Sequence, residues 1–548
     1  MLIHATFGLS QTIEGTWQFH SIYSISDSTK TNIKPISDAD FMSLNNNGTF
    51  KYHLKKIPII AKGKWKQEKN ILTLQYKSPS DTIRKYTFQI INNNLILQEA
   101  NTIFFFNKSS EVKGTQNLYL NKILRGILGL TTLIVIAVIF SKKRNRINWN
   151  LVWKGLLIQI VFAFCILKIP IIHNLFEWFS LVFITILNFT REGSIFLFGS
   201  LIENTNSYGY IFAFQVLPTI IFFSALTSLL FYYKILQKII YGFAIFMKKS
   251  LHLSGAESLA AAGNIFLGQT ESPLLVKPYI NNMTTSELLC LMSGGMATIA
   301  GGVLAAYIGF LGGSDLESQL FFAKHLLAAS VMSAPAAIIC SKILIPETEE
   351  INQSIDIPEE EIGTNALEAI SIGTTQGLKL AVNVGAMLLV FIAFISMANY
   401  FLEEFLGNFT GLNELINKIT KGQYNALSLE FILGYTFAPL TWLIGVCKED
   451  MILIGQLLGE KTILNEFVAY ISLGEMKNNL QFAEEKSIII ATYILCGFAN
   501  FASIGIQIGG IGVLAPKRRT DLSKLGILAL IAGTLASLFT AVIVSVII

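Results

Sequence analysis

Residues 263–279 read Gly-Asn-Ile-Phe-Leu-Gly-Gln-Thr-Glu-Ser-Pro-Leu-Leu-Val-Lys-Pro-Tyr. Asn264, Gln269, Thr270, Glu271 and Lys277 can all bond to a polar partner, yet apolar segments run on either side of them. Ionisable groups at bilayer depth are costly and face a cavity, a partner or a substrate. Gly263, Gly268 and Pro273 interrupt the helical pattern at the same place. Non-helical backbone at that depth is tolerated only inside protein or against water. The stretch therefore predicts a re-entrant hairpin whose tip offers donors and acceptors to a polar solute crossing the membrane.

The same devices recur later in the chain. Gly263, Gly268, Glu271 and Tyr279 have counterparts in Gly455, Gly459, Glu466 and Tyr470 at a nearly constant offset. Ala297-Thr298-Ile299-Ala300-Gly301 matches Ala499-Asn500-Phe501-Ala502-Ser503 at one offset. A hairpin and a Gly-broken helix, twice and in the same order, predict an inverted repeat around a midplane binding site.

The elements that must position these groups follow from composition. The 548 residues are 52% hydrophobic and only 14% charged, with a mean hydropathy of +0.55. Soluble proteins carry roughly 25% charged residues, so most of this chain belongs in lipid. The net charge of +5 sits at segment ends, which points to loop asymmetry rather than nucleic-acid binding. Cys165, Cys290, Cys340, Cys447 and Cys496 lie in or beside apolar segments without a Cys-x-x-Cys pair, so neither a disulfide framework nor a zinc site is indicated.

Residues 1–115 differ from the rest. Phe50, Tyr52, Leu54; Leu72, Leu74, Tyr76; and Tyr86, Phe88, Ile90 alternate at period two. Turn residues at 45–48, 68–70 and 92–94 separate these runs, predicting a small antiparallel sheet or barrel. Gly15-Thr16-Trp17, Gly63-Lys64-Trp65 and Phe104-Phe105-Phe106 make it similar to lipocalin-like β modules. Residues 1–10 are mildly apolar and compatible with the remnant of a secretory signal.

The first membrane helix is predicted over 123–140, with Arg125 snorkelling near one end. Lys142, Lys143, Arg144 and Arg146 follow it and mark the cytoplasmic side, which places the β module and, after the last helix, the C-terminus in the periplasm. Apolar segments are predicted near 150–170, 176–200 and 209–234, with an interfacial amphipathic stretch over 239–247. The first hairpin (253–280), a broken helix (286–311) and a helix (320–345) come next. An acidic linker (346–367, including Glu347 and Glu359–Glu361), helices at 370–404 and 427–446, the second hairpin (448–475), a broken helix (488–514) and a last helix (523–548) complete the chain. The domains expected are a β module (1–115), first scaffold helices (116–250), a first hairpin repeat (251–345), a linker with a scaffold helix (346–426), and a second repeat with the last helix (427–548).

Three motifs resemble the concentrative nucleoside transporters. Gly268-Gln269-Thr270-Glu271-Ser272-Pro273-Leu274-Leu275 resembles the family's first hairpin motif. Residues 459–470, Gly-Glu-Lys-Thr-Ile-Leu-Asn-Glu-Phe-Val-Ala-Tyr, are similar to its G-x-K-x-x-x-N-E-F-V-A signature, and 496–503 to its third motif. The resemblance covers 120–548 and implies an all-α polytopic fold with inverted repeats, here preceded by an all-β module. It also implies a homotrimer whose transport domains move like elevators, carrying nucleosides with sodium across the bacterial inner membrane. By that resemblance Gln269, Thr270 and Glu271 bind the nucleobase beside Val303. Glu466, Asn500 and Ser503 bind the ribose, and Phe498 lines the pocket. Asn264, the Leu267 carbonyl, Thr298 and the Ile299 carbonyl hold sodium. Thr298 replaces the usual serine, and Lys277 stands where arginine is more frequent.

The chemistry agrees: a carboxylate can accept two ribose hydroxyls, through charge-assisted bonds about twice as strong as neutral ones. Proton-driven members lack the Asn-and-hydroxyl pair that Asn264 and Thr298 supply, which favours sodium over proton coupling. An elevator carrier of another polar solute is the nearest alternative. An intramembrane enzyme using Glu271 and Glu466 as acid and base lacks a nucleophile or metal motif, and a receptor would depend on the β module.

Overall fold

The computed structural model describes residues 13–26, 29–32, 41–45, 48–54, 59–68, 70–76, 82–91, 94–99, 102–108, 115–203, 211–313, 315–354, 363–420 and 422–548. The signal-like residues 1–10, the tips of three predicted turns (46–47, 69, 92–93) and the linker acids 359–361 lie outside the described residues. The chain separates into two compact units, 1–121 and 122–548.

Among the described residues of the first unit the alternating runs become nine antiparallel strands: β1 (Gly15–Ser26), β2 (Thr29–Asn32), β3 (Phe41–Leu44), β4 (Thr49–Leu54), β5 (Ile59–Glu68), β6 (Ile71–Tyr76), β7 (Thr82–Ile91), β8 (Asn94–Glu99) and β9 (Thr102–Lys108). From β3 to β9 each strand pairs with the next, and β1 pairs with both β3 and β9. Eight strands thus close into an up-and-down barrel, with β2 a short hairpin partner of β1. A register break between Phe19 and Ser21 bends β1 at the closure, as a bulge does. The period-two residues point inward: Trp17, Phe19, Met42, Leu44, Phe50, Leu72, Leu74, Tyr86, Phe88, Leu95, Leu97 and Phe106 are buried. Phe19 and Phe106 meet edge-to-face at 4.5 Å, and Trp17 donates its indole hydrogen to the Ile13 carbonyl at 2.8 Å. Burial pushes the Tyr86 phenol up to about 12. An eight-stranded barrel is just wide enough to be filled by its own side chains, and large aromatic and aliphatic groups fill this one.

The second unit is helical throughout its described residues, with eight helices long and apolar enough to span a membrane. It takes in most of the helix Thr115–Ile139, then Trp149–Lys168, Pro170–Phe198 and Leu217–Tyr232. Ile235–Leu251 has an amphipathic face, burying Leu236, Ile240, Ala244 and Met247 while Ile239, Tyr241 and Phe246 stay exposed. The core is built from the broken helix Thr285–Ala297/Gly301–Gly312, the helix Leu316–Leu344 and the last helix Arg519–Ile547. Pro170–Phe198 and the long helix Ala366–Tyr400 turn most of their apolar residues outward. A short amphipathic helix, Leu412–Ile419, was not expected from the sequence.

Arg125 does not snorkel. Its guanidinium donates to the Trp442 carbonyl, from Nε at 2.7 Å, and to that of Val446 at 2.5 Å, and lies 4.6 Å from the Trp442 ring centroid. The helix Leu429–Ile444 ends there, and the last turn of a helix carries the negative end of its dipole. Those carbonyls hold the cation inside the protein.

Candidate functional site

Each hairpin is two helical arms and a non-helical tip. The first runs from Gly255–Asn264 through a turn to the short helices Ser272–Leu275 and Lys277–Ile280. A capping box starts it, Ser254 and Glu257 exchanging hydrogen bonds with each other's backbone amides. The second runs from Met451–Ile463 to Glu466–Asn478, and Asn465 caps the returning arm by accepting from the Val468 amide at 3.0 Å. The first broken helix unwinds over 298–300, and the second, between Glu485–Leu495 and Phe501–Leu514, over 496–500.

The tips meet the breaks. The Gly301 amide donates to the Phe266 carbonyl at 3.4 Å, which brings the first hairpin against the first break. Gly497, at φ +94°, lies against the Ala297 and Met296 carbonyls, where a Cβ would come within 2.6 Å. Only glycine both adopts that conformation readily and allows that approach. The two breaks therefore touch.

A run of buried polar groups crosses this junction. Asn500 donates from Nδ2 to Glu466 Oε2 at 2.6 Å, while its Oδ1 accepts from the Ser503 amide at 2.8 Å. The hydroxyl of Ser503 accepts from Gln269 Nε2 at 3.0 Å. Glu466, Asn500, Ser503 and Gln269 are all buried, and Gln269 Oε1 has no hydrogen-bond partner among the described residues. Groups from the second hairpin, the second broken helix and the first hairpin so become one hydrogen-bonded chain. Tyr307 and Lys461 are fully buried. Tyr307 stacks on Tyr470 at 4.1 Å and meets Phe467 edge-on at 5.4 Å. Val303 and Phe498 are buried.

Glu271 and Thr270 sit differently. Thr270 is exposed and packs over Gly510. Glu271 is partly buried and folds back on its own turn, its Oε2 accepting from the Gly268 amide at 3.1 Å.

Of the four residues expected to hold sodium, Asn264 and Leu267 lie in the first hairpin, and Thr298 and Ile299 at the first break. Asn264 is buried against Gly294, where a Cβ would collide with its amide. Its Nδ2 donates to the Leu291 carbonyl at 3.5 Å, and its Oδ1 has no hydrogen-bond partner among the described residues. Thr298 donates its hydroxyl hydrogen to the Gly294 carbonyl at 2.9 Å, the back-bonding common for threonine in helices. That geometry leaves the hydroxyl lone pairs available. Leu267 and Ile299 are buried in the tip and the break. An amide oxygen, a hydroxyl oxygen and unwound carbonyls form a donor set suited to a hard monovalent cation.

Four participants carried no role in the sequence reading: Lys461, Tyr307, Gln507 and the Gly294–Gly295 notch. Gln507 is fully buried and donates to the Met292 carbonyl at 2.9 Å. A Cβ on Gly295 would come within 2.9 Å of both Gln269 and Gln507, so the notch lets the two glutamines approach. Helical spacing could have found two of these residues, since Gln507 lies four positions after Ser503 and Tyr307 four after Val303, on the same helix faces.

Comparison with known proteins bears on this arrangement. Family models described as Na+ dependent nucleoside transporter N-terminus, Nucleoside recognition and Na+ dependent nucleoside transporter C-terminus match residues 128–201, 213–314 and 325–545. An uncharacterized transporter of Bacillus subtilis (strain 168), YutK, is 41% identical over 424 residues, covering 77% of this chain and 98% of its own. Solute carrier family 28 member 3 of Homo sapiens is 37% identical over 434 residues, covering 76% of this chain and 59% of its own. Among solved structures, CNTnw in an inward-facing substrate-bound state superposes with a TM-score of 0.68 at 37% identity, over 77% of this chain and 98% of that one. An outward-facing variant of CNTnw gives 0.69 at 36% identity, over 78% and 99%.

Proposed function

From the premise that this chain belongs to the Na+ dependent nucleoside transporter family, we propose that it is a sodium-coupled nucleoside symporter. The family is one of transporters, not enzymes. In this reading the protein is a homotrimer in the bacterial cytoplasmic membrane. Its hairpin repeats form a transport domain that moves like an elevator, importing nucleosides down the sodium gradient. The lipocalin-like barrel and the C-terminus face the periplasm.

The observation that carries the reading is the polar run from Glu466 through Asn500 and Ser503 to Gln269. Ribose hydroxyls suit its carboxylate end, and the unsatisfied Gln269 amide oxygen suits a nucleobase N–H donor. Thr270 and Glu271 follow Gln269 in the same hairpin tip, and in this reading they join it at the base, with Val303 and Phe498 as apolar walls. Asn264, Thr298 and the carbonyls of Leu267 and Ile299 supply the sodium ligands. Opening the site to either side would let Glu271 leave the Gly268 amide and turn to the base.

Uptake of radiolabelled uridine into proteoliposomes tests this. An inward sodium gradient drives accumulation, and Glu466→Gln abolishes it. Uptake indifferent to sodium but driven by external acid would make the protein a proton symporter. Uridine uptake outcompeted by an unrelated polar solute would make it an elevator carrier of that solute.

A further inference from the structure

Lys461 is fully buried, and among the described residues no carboxylate lies within ion-pair distance of it. Its ammonium donates to the Ile494 carbonyl at 2.9 Å, the Cys496 carbonyl at 3.0 Å and Ser537 Oγ at 3.2 Å. All three ammonium hydrogens have an acceptor. Ile494 and Cys496 flank Leu495, where the helix Glu485–Leu495 ends. The last carbonyls of a helix lack intrahelical partners and carry its negative pole, so a cation can be buried there without a counter-carboxylate. Ser537, from the last helix, donates to the same Cys496 carbonyl at 2.6 Å.

These bonds clamp the upstream end of the non-helical stretch 496–500, whose downstream end is Asn500. Asn500 then bonds Glu466, which lies on the other arm of the same hairpin as Lys461. The second hairpin thus grips the second break at two points, once through Lys461 and once through the pair expected to meet ribose. We infer that Lys461 is a positioning residue for sugar recognition, fixing the spacing between Glu466 and Asn500 without touching the substrate. The inference rests on the nucleoside reading above.

The test is equilibrium binding of uridine, 2′-deoxyuridine and 3′-deoxyuridine to the purified full chain, in sodium and in choline. Wild type prefers uridine over the deoxy analogues. Lys461→Met weakens uridine about ten-fold or more, as loss of well-placed hydrogen bonds to a charged group would. It weakens the deoxy analogues much less, so the preference for ribose collapses, while half-saturation by sodium stays near the wild-type value. Ser537→Ala, which removes one of the two donors on Cys496, moves the preference the same way by a few-fold. A folded Lys461→Met that loses all three ligands equally, or none of them, overturns the inference. Should Lys461→Met fail to fold, Ser537→Ala decides, and an unchanged ribose preference overturns it. Wild type that binds no nucleoside would instead remove the nucleoside reading, and this inference with it.

Discussion

Asn264 holds its place with one long hydrogen bond, 3.5 Å to the Leu291 carbonyl, and leaves its amide oxygen without a hydrogen-bond partner among the described residues. A buried acceptor left so costs about 1–3 kcal/mol, which coordination to a cation would recover. Thr298 contributes differently, because its hydrogen is engaged by Gly294 and only its oxygen is available. We therefore expect Asn264→Leu and Thr298→Val each to raise the sodium concentration for half-maximal uridine binding about ten-fold or more. Thr298→Ser should stay close to wild type, and the melting temperature in sodium against choline reads the difference. The chemistry of these residues was legible in the sequence because amides and hydroxyls stand out against an apolar background. Partners were not legible: nothing near Gln269 in the chain announces Ser503, 234 positions away.

At the scale of elements, Gly268 and Pro273 marked the first hairpin tip, and Gly301 and Gly497 the breaks, because those residues act on the backbone where they stand; Gly455 and Gly459 instead lie inside the arm Met451–Ile463, and the second tip turns at Leu464 and Asn465. The Gly294–Gly295 notch is a matter of packing, and its purpose emerges only once three elements converge on it. Gly295→Val would drive a branched side chain into Gln269 and Gln507. We expect this change to abolish uridine binding and to lower the melting temperature by several degrees, since overpacking costs about 1–3 kcal/mol. The Arg125 cap was equally hidden, for its carbonyl partners lie 317 and 321 residues further on.

A polar cluster ties the start of the first hairpin to the helices behind it. Lys342 pairs with Glu257 and, at 3.3 Å, with Glu347, which also accepts from Thr284 Oγ1 at 2.8 Å. Burial by itself would raise the Glu347 carboxyl, but Lys342 and the Thr284 hydroxyl hold it below its ordinary value. A depressed carboxyl adds stability that is present above the ordinary carboxylate range and is lost as pH falls through the lowered value. Glu347→Gln should accordingly lower the melting temperature near neutral pH and make progressively less difference in acid, as a pH series of melting curves would record.

For the molecule as a whole, composition separated a β module from a membrane part, and the structure has two compact units, 1–121 and 122–548. The strand pattern was legible because one face of each strand is buried and a register slip would expose it. The alternation left sheet and barrel both open, and the pairing of β1 with β9, which joins the two ends of the module, makes it a barrel. The matched family models begin only at residue 128. Deleting residues 1–115 should therefore leave sodium-driven uridine uptake in proteoliposomes largely intact, and its loss would instead assign the module a part in transport.

Ring closure also governs how the module behaves in a crowd of its own kind. Sheets polymerise by recruiting new chains onto an unpaired margin, and here β1 and β9 cover each other's margins. Among the described residues only the four-residue β2 keeps an open side. The intact barrel should thus remain dispersed at high concentration, whereas a version cut before β9 would expose two full-length margins and clump.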